Sequence, residues 1–376
     1  MMMKIRCKRG DFLEGVRVVQ NALTSVTLPV LSHILMIAKE EGIKLVATNL
    51  ETTIQSSFSG EVIEEGEICL PGNKIFEILR ELPSQEVDLE IEDSRAIIKC
   101  GRSTFQLLAL EASEFPEIPK LEEENIFLFP QDKLREMIQK TSFAASLDET
   151  RQGLNGIYLS IAEGEVRMVA TDGRRLAFVR ISKSLKIPEV KTIIPLRAIQ
   201  QLMRILGQGE EVRTGIGKHQ AFFNPRLKEG PLNQILLISQ LIEAEFPDYE
   251  NIIPKEYKVA IMVDRDTLFR AIKRVSLLSN EKSRLLKLKL KGNVLSITAN
   301  TPEMGSSYEE LTVKREGEGD IGIGFNATYL LDGLKNIAGE VRFELTDSLS
   351  PGVIKPVAGG DEDYVYVVMP IRIEEE

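Results

Sequence analysis

Few side chains in this chain are spaced for covalent or metal chemistry. There are two histidines: His33, inside the aliphatic stretch 28–37, and His219, inside a loop-like stretch. Neither stands at a motif distance from a serine, cysteine or carboxylate partner, and His33 reads as a packed or edge-strand side chain. Cys7, Cys69 and Cys100 are odd in number and far apart, in strand-like surroundings, with no metal-ligand spacing. They read as buried, reduced thiols and point to a cytoplasmic home. Neither a Gly-x-x-x-x-Gly-Lys-Ser/Thr loop nor a Gly-x-Ser-x-Gly elbow occurs. The glycine-rich stretch 316–324 has no basic residue or helix start to hold a phosphate and is expected to form a hairpin turn. No catalytic residue, metal site or cofactor is therefore expected.

What remains is a set of cations able to meet phosphate. The net charge is −10, which taken alone argues against nucleic acid. Its distribution argues the other way. Six amphipathic segments, 8–25, 73–82, 131–143, 195–206, 264–278 and 326–337, together carry +6, so the remainder carries about −16. If these segments face one way, they make a basic surface on an acidic body, and such a surface holds phosphates without reading bases. The candidate phosphate-facing cations are Arg17, Lys74, Arg80, Lys140, Arg197, Arg204, Arg270, Lys273 and Arg274.

The elements that carry these cations occur three times in the same order. A helix-like run opens at Asp11, Asp132 and Asp266; a strand ending in a polar turn follows at 45–51, 168–174 and 296–302. A second helix-like run starts at Pro71, Pro195 and Asn326. Helix to strand takes 36, 38 and 32 residues, measured to Ala47, Ala170 and Thr298. The period is domain-sized, too long for a solenoid unit. Repeat one closes on Glu114-Phe-Pro-Glu-Ile-Pro119 and repeat two on Glu245-Phe-Pro-Asp-Tyr249, with Pro254 soon after. The expected domains are 1–119, 120–254 and 255–376. Between helices come short alternating runs separated by polar or glycine turns, the pattern of antiparallel strands. The fold class is α+β, with helices backed on one side by antiparallel sheet. Repeat two is longer around 217–233, which reads as an extended hairpin loop. At 376 residues and 43% hydrophobic, the chain can bury three ordinary cores. No apolar run is long enough for a membrane span, and the first residues read as a strand without a signal-peptide core.

Five stretches in order carry a family resemblance: Val169-Ala-Thr-Asp-Gly-Arg-Arg-Leu-Ala177, Glu245-Phe-Pro-Asp-Tyr249, Leu278-Ser-Asn-Glu-Lys282, Phe325-Asn326 and Tyr364-Val-Tyr-Val-Val-Met-Pro-Ile-Arg372. Together with the triplication they make the chain resemble the bacterial sliding clamp, the β subunit of the replicative DNA polymerase. The resemblance implies a non-catalytic processivity factor with three similar domains per chain. It implies a head-to-tail homodimer closed into a six-domain ring, helices lining a hole around duplex DNA. Polymerase subunits, the clamp loader and repair proteins would be partners, docking a short linear peptide between domains two and three. A carboxylate enzyme on the same scaffold and a peptide adaptor without a DNA role are the rival readings. The first lacks a catalytic constellation, and a DNA-dependent processivity assay separates all three.

The resemblance also implies sites. The peptide pocket maps to Leu154, Thr171, Gly173, Arg174, Arg175, Leu176, Pro247, Ile252, Asn326, Tyr329, Leu349, Val367, Met369, Pro370 and Ile371, with aliphatic and Met walls and Asn and Arg to orient a ligand. The ring seam maps to Phe105 and Leu107 facing Leu277 and Leu278, flanked by Lys74, Lys99 and Arg102 against Glu303, Glu309 and Glu310. On the DNA track the family's positions carry over to Arg197, Arg204 and Arg151, with Gln152 beside the last; Ser25 and Asn73 stand where arginine is expected.

Overall fold

Helices form where an apolar stripe of period 3.6 follows a capping residue. The computed structural model describes residues 3–24, 28–83, 85–183, 185–207, 209–227, 230–302, 304–358 and 362–373. Among them six α-helices occur: α1 (Arg9–Val19), α2 (Gly72–Glu81), α3 (Gln131–Thr141), α4 (Leu196–Ile205), α5 (Arg265–Val275) and α6 (Ala327–Leu334). In α5, Leu268, Ala271, Ile272 and Val275 are buried on one face while Arg270, Lys273 and Arg274 are exposed on the other. The Asp264 carboxylate caps this helix by accepting the Thr267 N–H at 2.8 Å. Asn326 caps α6 by accepting from the N–H groups of Thr328 and Tyr329.

The chain divides into two compact units. The first comprises Met1–Arg135, Lys186–Pro188 and Arg197–Leu241; the second comprises Glu136–Leu185, Glu189–Leu196 and Ile242–Glu376. The first unit holds a five-stranded sheet in the order Glu61–Glu64, Met3–Lys8, Glu86–Glu92, Arg95–Cys100, Ser103–Leu108. It also holds a nine-stranded sheet: Leu110–Glu111, Gly66–Pro71, His33–Lys39, Gly42–Thr48, Thr52–Phe58, Gln234–Gln240, Gln220–Pro225, Glu211–Ile216, Ile126–Pro130. In the second unit a four-stranded sheet runs Gly305–Thr312, Val294–Thr301, Leu285–Lys291, Ile321–Asn326. Its nine-stranded sheet runs Val190–Pro195, Gly156–Ala162, Glu165–Thr171, Arg175–Ser182, Glu362–Val368, Gly352–Pro356, Glu340–Leu345, Val259–Asp264, Lys314–Gly317.

Each nine-stranded sheet crosses a repeat boundary. Thr52–Phe58 of repeat one pairs with Gln234–Gln240 of repeat two, Ile54 opposite Leu237. Arg175–Ser182 of repeat two pairs with Glu362–Val368 of repeat three, Leu176 opposite Val367. The Phe-Pro segments between repeats are part of the packing as well. Phe115 packs on Leu35, Val46 and Cys69, with Ile118 beside it. Tyr249 packs on Val169, Leu176 and Val367, and Phe246 stacks on Tyr158 with ring centroids 4.9 Å apart. In repeat one this is the sheet face turned away from α1, whose Gly15 sits against Leu45 and Phe58 on the other side.

Three expectations change. The stretch 316–324 is not a hairpin turn. Lys314–Gly317 pairs with Val259–Asp264, whereas Ile321–Asn326 pairs with Leu285–Lys291 in another sheet, so the glycines carry the chain between sheets. Residues 220–225, expected in a loop, form a strand because the run Ala221, Phe222, Phe223 is buried. Repeat three matches one residue later than expected. Leu295, Ile297 and Ala299 are buried, so Ala299 rather than Thr298 answers Ala47, and a slip of one residue exchanges the faces of a strand.

Cys7, Cys69 and Cys100 are buried free thiols. Burial, with help from nearby carboxylates, pushes the Cys7 and Cys69 thiols up to about 12. Among the described residues no helix is long and apolar enough to cross a membrane.

Candidate interaction sites

The 171–175 turn is built by its own side chains. The Thr171 hydroxyl donates to the Arg175 carbonyl at 2.6 Å and accepts the Gly173 N–H at 3.0 Å. The Asp172 carboxylate accepts the N–H groups of Arg174 and Arg175 at 2.8 and 3.1 Å. Gly173 lies at φ +86°, and a Cβ there would stand 2.9 Å from the Arg151 guanidinium. That guanidinium donates to the Asp172 carbonyl at 2.6 Å. Arg151, expected on the DNA track, is thus tied to this turn, with Gln152 exposed next to it.

Arg175 reaches from the turn to α6. Its Nε donates to Asp172 at 3.1 Å and its Nη1 to Asp332 at 2.8 Å. The guanidinium lies 4.6 Å from the Tyr329 ring centroid and 5.6 Å from that of Phe143, and its side chain is only 12% exposed. Burial works against this charge, but the Asp332 hydrogen bond and the surrounding acidic groups more than offset it and raise the Arg175 pKa. The Tyr366 hydroxyl donates to the Tyr329 carbonyl at 2.8 Å. A Cβ on Gly333 would overlap the Tyr366 ring at 2.3 Å, so only glycine lets α6 sit this close.

The remaining pocket residues gather around this frame. Met369 N–H donates to the Arg174 carbonyl and Ile371 N–H to the Gly324 carbonyl, so 369–371 runs from the turn to the foot of α6. Asn326, besides capping α6, donates to the Ser283 carbonyl. Met369 is 39% exposed, Ile252 38% and Leu349 60%, and Pro247 and Arg174 are exposed too. Ile252 follows Tyr249, which packs on Val367; Leu349 stands in the loop entering Gly352, opposite Val368. Leu176, Val367 and Leu154 are buried, while Pro370 and Ile371 are half-buried.

Two sheet edges are open, one apolar and one largely polar. Ser103–Leu108 ends the five-stranded sheet, with Phe105 39% and Leu108 76% exposed and Leu107 half-buried. Gly305–Thr312 ends the four-stranded sheet, with Tyr308 exposed; Leu277, at the end of α5, is 72% exposed and Leu278 half-buried. The flanking charges are engaged within the chain: Lys99 with Glu90, Lys74 with Glu77, Glu309 with Arg274, and Glu310 with the Tyr308 hydroxyl. Arg102 is exposed. Glu303 and Ser25 lie outside the described residues.

Many helix cations also carry a local carboxylate. Arg17 pairs with Glu14, Arg80 with Glu81 and Lys140 with Glu136. Lys140 is mostly covered and lies over the Tyr364 ring. Arg204 donates to Asn21 Oδ1 at 2.9 Å. Arg197, Arg270 and Lys273 are exposed.

Models of the DNA polymerase III beta subunit match three consecutive stretches: the N-terminal domain over residues 3–119, the central domain over 128–248 and the C-terminal domain over 250–372. A beta sliding clamp of Pseudomonas aeruginosa is 36% identical over 352 residues, 92% of this chain and 93% of the relative. The chain belongs to the bacterial sliding clamp family. A crystal structure of the P. aeruginosa DNA polymerase III subunit beta superposes with a TM-score of 0.92 at 34% identity, covering 99% of this chain and 100% of that one. A second P. aeruginosa clamp structure, bound to griselimycin, matches equally, at TM-score 0.92 and 34% identity over 99% and 100% of the two chains. The chain is therefore a DNA sliding clamp, a processivity factor of DNA polymerase III that performs no catalysis itself, with DNA and polymerase as its partners.

Several supporting residues escape sequence reasoning. Asp172 was within reach, since Thr-Asp-Gly favours a side-chain-capped turn. Asp332, Phe143 and Tyr366 were not, because their roles arise from contacts with residues distant in the chain or on another element. Leu108, 76% exposed, carries no signal in the sequence, because an edge strand exposes both of its faces.

Proposed function

We propose that two copies of this clamp close head to tail into a six-domain ring around duplex DNA, and that the site around Arg175 and Met369 takes a short linear peptide from polymerases and other replication and repair proteins. The domains are 1–119, 120–254 and 255–376, and the setting is the cytoplasm, on the nucleoid. One observation carries the ring. At each internal boundary the third strand of one repeat's sheet pairs with the last strand of the next repeat: Thr52–Phe58 with Gln234–Gln240, then Arg175–Ser182 with Glu362–Val368. The same rule leaves the third strand of repeat three, Gly305–Thr312, and the last long strand of repeat one, Ser103–Leu108 (the two-residue strand Leu110–Glu111 after it pairs with Gly66–Pro71), as the unpaired ends. An exposed edge strand presents unpaired main-chain groups that invite pairing, and these two edges would complete each other across chains. Extending the internal register puts Ser306 opposite Gln106 of the second copy, and so Leu108 near Met304. Phe105, Leu107, Leu277 and Leu278 supply the apolar contact, with Lys74, Lys99, Arg102, Glu303, Glu309 and Glu310 as a charged rim of small energy.

The peptide reading is supported by the exposed Met369, Ile252 and Leu349 around a rigid frame, and by the relative whose structure holds griselimycin. DNA would meet the helix cations weakly and without sequence preference, and enclosure would keep the ring in place. The deciding experiment loads the purified chain onto nicked circular DNA. Retention that is lost on linearisation is the expected result. Equal loss from circular and linear DNA would reject the ring.

A further inference from the structure

The three repeats treat one sheet face differently. In repeat one Leu35 stands opposite Val46, and Phe115 covers the pair. In repeat two Tyr158 stands opposite Val169 under Phe246 and Tyr249. The corrected register of repeat three puts Lys287 and Thr298 in these places, again directly opposite each other. Lys289 and Lys291 continue the row, all three exposed, while Leu286, Leu288 and Leu290 between them are buried. Opposite Lys289 is Gly322, beside whose Cβ position there is only open space. The result is a trough of about 630 Å³ floored by the lysine row. Among the described residues no carboxylate forms an ion pair with Lys287, Lys289 or Lys291.

In the other two repeats an extended stretch of chain lies on this face. Here the seat is kept but its chemistry changes from apolar to cationic. We infer that this face of repeat three is a docking surface for an extended acidic segment of a partner protein, with carboxylates at alternate positions. Alternate residues of an antiparallel strand are about 6.8 Å apart, and alternate residues of an extended peptide recur at the same distance, so three carboxylates can meet three ammonium groups in step. A peptide suits the trough better than a polynucleotide does. Glu310 stands in its wall, held by the Tyr308 hydroxyl; a polynucleotide, charged at every nucleotide, would bring a phosphate against it, whereas a peptide can place a neutral side chain there. Each exposed pair is weak alone, so binding depends on the set and falls with salt.

The test is fluorescence anisotropy of a labelled peptide alternating glutamate and serine, titrated with the full chain at low salt. The same peptide with glutamine for glutamate is the control. Binding should weaken about tenfold or more in the triple variant K287Q/K289Q/K291Q and survive in K287R/K289R/K291R, with melting temperature unchanged in both. No binding to the unmodified chain, or equal binding to the glutamine variant, overturns the inference. Binding that appears only after residues 374–376 are removed would assign the seat to the chain's own acidic end and also overturns it. So does a labelled oligothymidylate that binds more tightly than the peptide with the same lysine dependence.

Discussion

Arg175 and Arg17 show two ways of using the same side chain. Arg175 is held by two carboxylates and two aromatic rings and is nearly covered. Arg17 lies on α1 with its side chain 59% exposed and one neighbouring carboxylate, Glu14, one helical turn away. The first arrangement fixes a shape, which recognition of a peptide requires. The second fixes little beyond charge. A surface over which DNA must move gains from that looseness, because a rigidly placed cation would favour one register of phosphates over the next. On the proposed DNA track, the carboxylates paired to Arg17, Arg80 and Lys140 would weaken the attraction further.

The strongest way to break this comparison is to charge the proposed peptide site. Met369→Glu should abolish binding of a polymerase-derived peptide, read by calorimetry, while sedimentation still reports a dimer; unchanged peptide affinity would remove Met369 from the site. Next comes the seam. Leu108→Asp with Leu277→Asp should convert dimer to monomer in sedimentation equilibrium, since apolar contact outweighs rim ion pairs worth about 0–1 kcal/mol each. A dimer that persists would place the seam elsewhere. Asp332→Ala leaves a half-satisfied buried guanidinium and should lower stability by about 1–3 kcal/mol in denaturant melts, with weaker peptide binding although Asp332 itself need not touch the ligand. Asp332→Glu should recover part of both. On the loose side, neutralising Arg197 and Arg204 together should flatten the salt dependence of DNA binding by about one to two units, given about 0.9 per phosphate contact. An unaltered slope would take α4 off the track. Smallest of all, Arg17→Gln should change stability by less than about 0.5 kcal/mol, the scale of one exposed helix pair. A larger loss would mean that α1 is as tightly specified as the surroundings of Arg175.

The sequence made the local elements readable and the lateral ones unreadable. The stripe of α5 and the alternation in Leu285–Lys291 follow from periods of 3.6 and 2, which short stretches display. Triplication exposed the repeats and their Phe-Pro ends. The pairing of Thr52–Phe58 with Gln234–Gln240 had no local signal, because the strands are far apart in the chain. Nor did the Arg175–Asp332 contact, whose acid sits in an ordinary helix. Thr298 and Ala299 differ by one position because the polar turns match by residue type, whereas burial on alternate sides sets the strand's register. The pocket's backbone frame could be anticipated from Thr171, Gly173 and Asn326. Which of its aliphatic residues stand at the surface and which lie underneath depends on contacts between elements, seen for Leu176 and Val367 under Tyr249.

The two ladders that cross repeat boundaries change what the connecting segments are for. A protease cut near residue 119 or 254 would sever the covalent path, yet the fragments would still share an unbroken sheet of main-chain hydrogen bonds. The nicked protein should therefore run as separate bands only after denaturation. In mechanical terms the connectors are redundant, and the weakest joints of the proposed ring would be the two places where no peptide bond runs alongside the sheet.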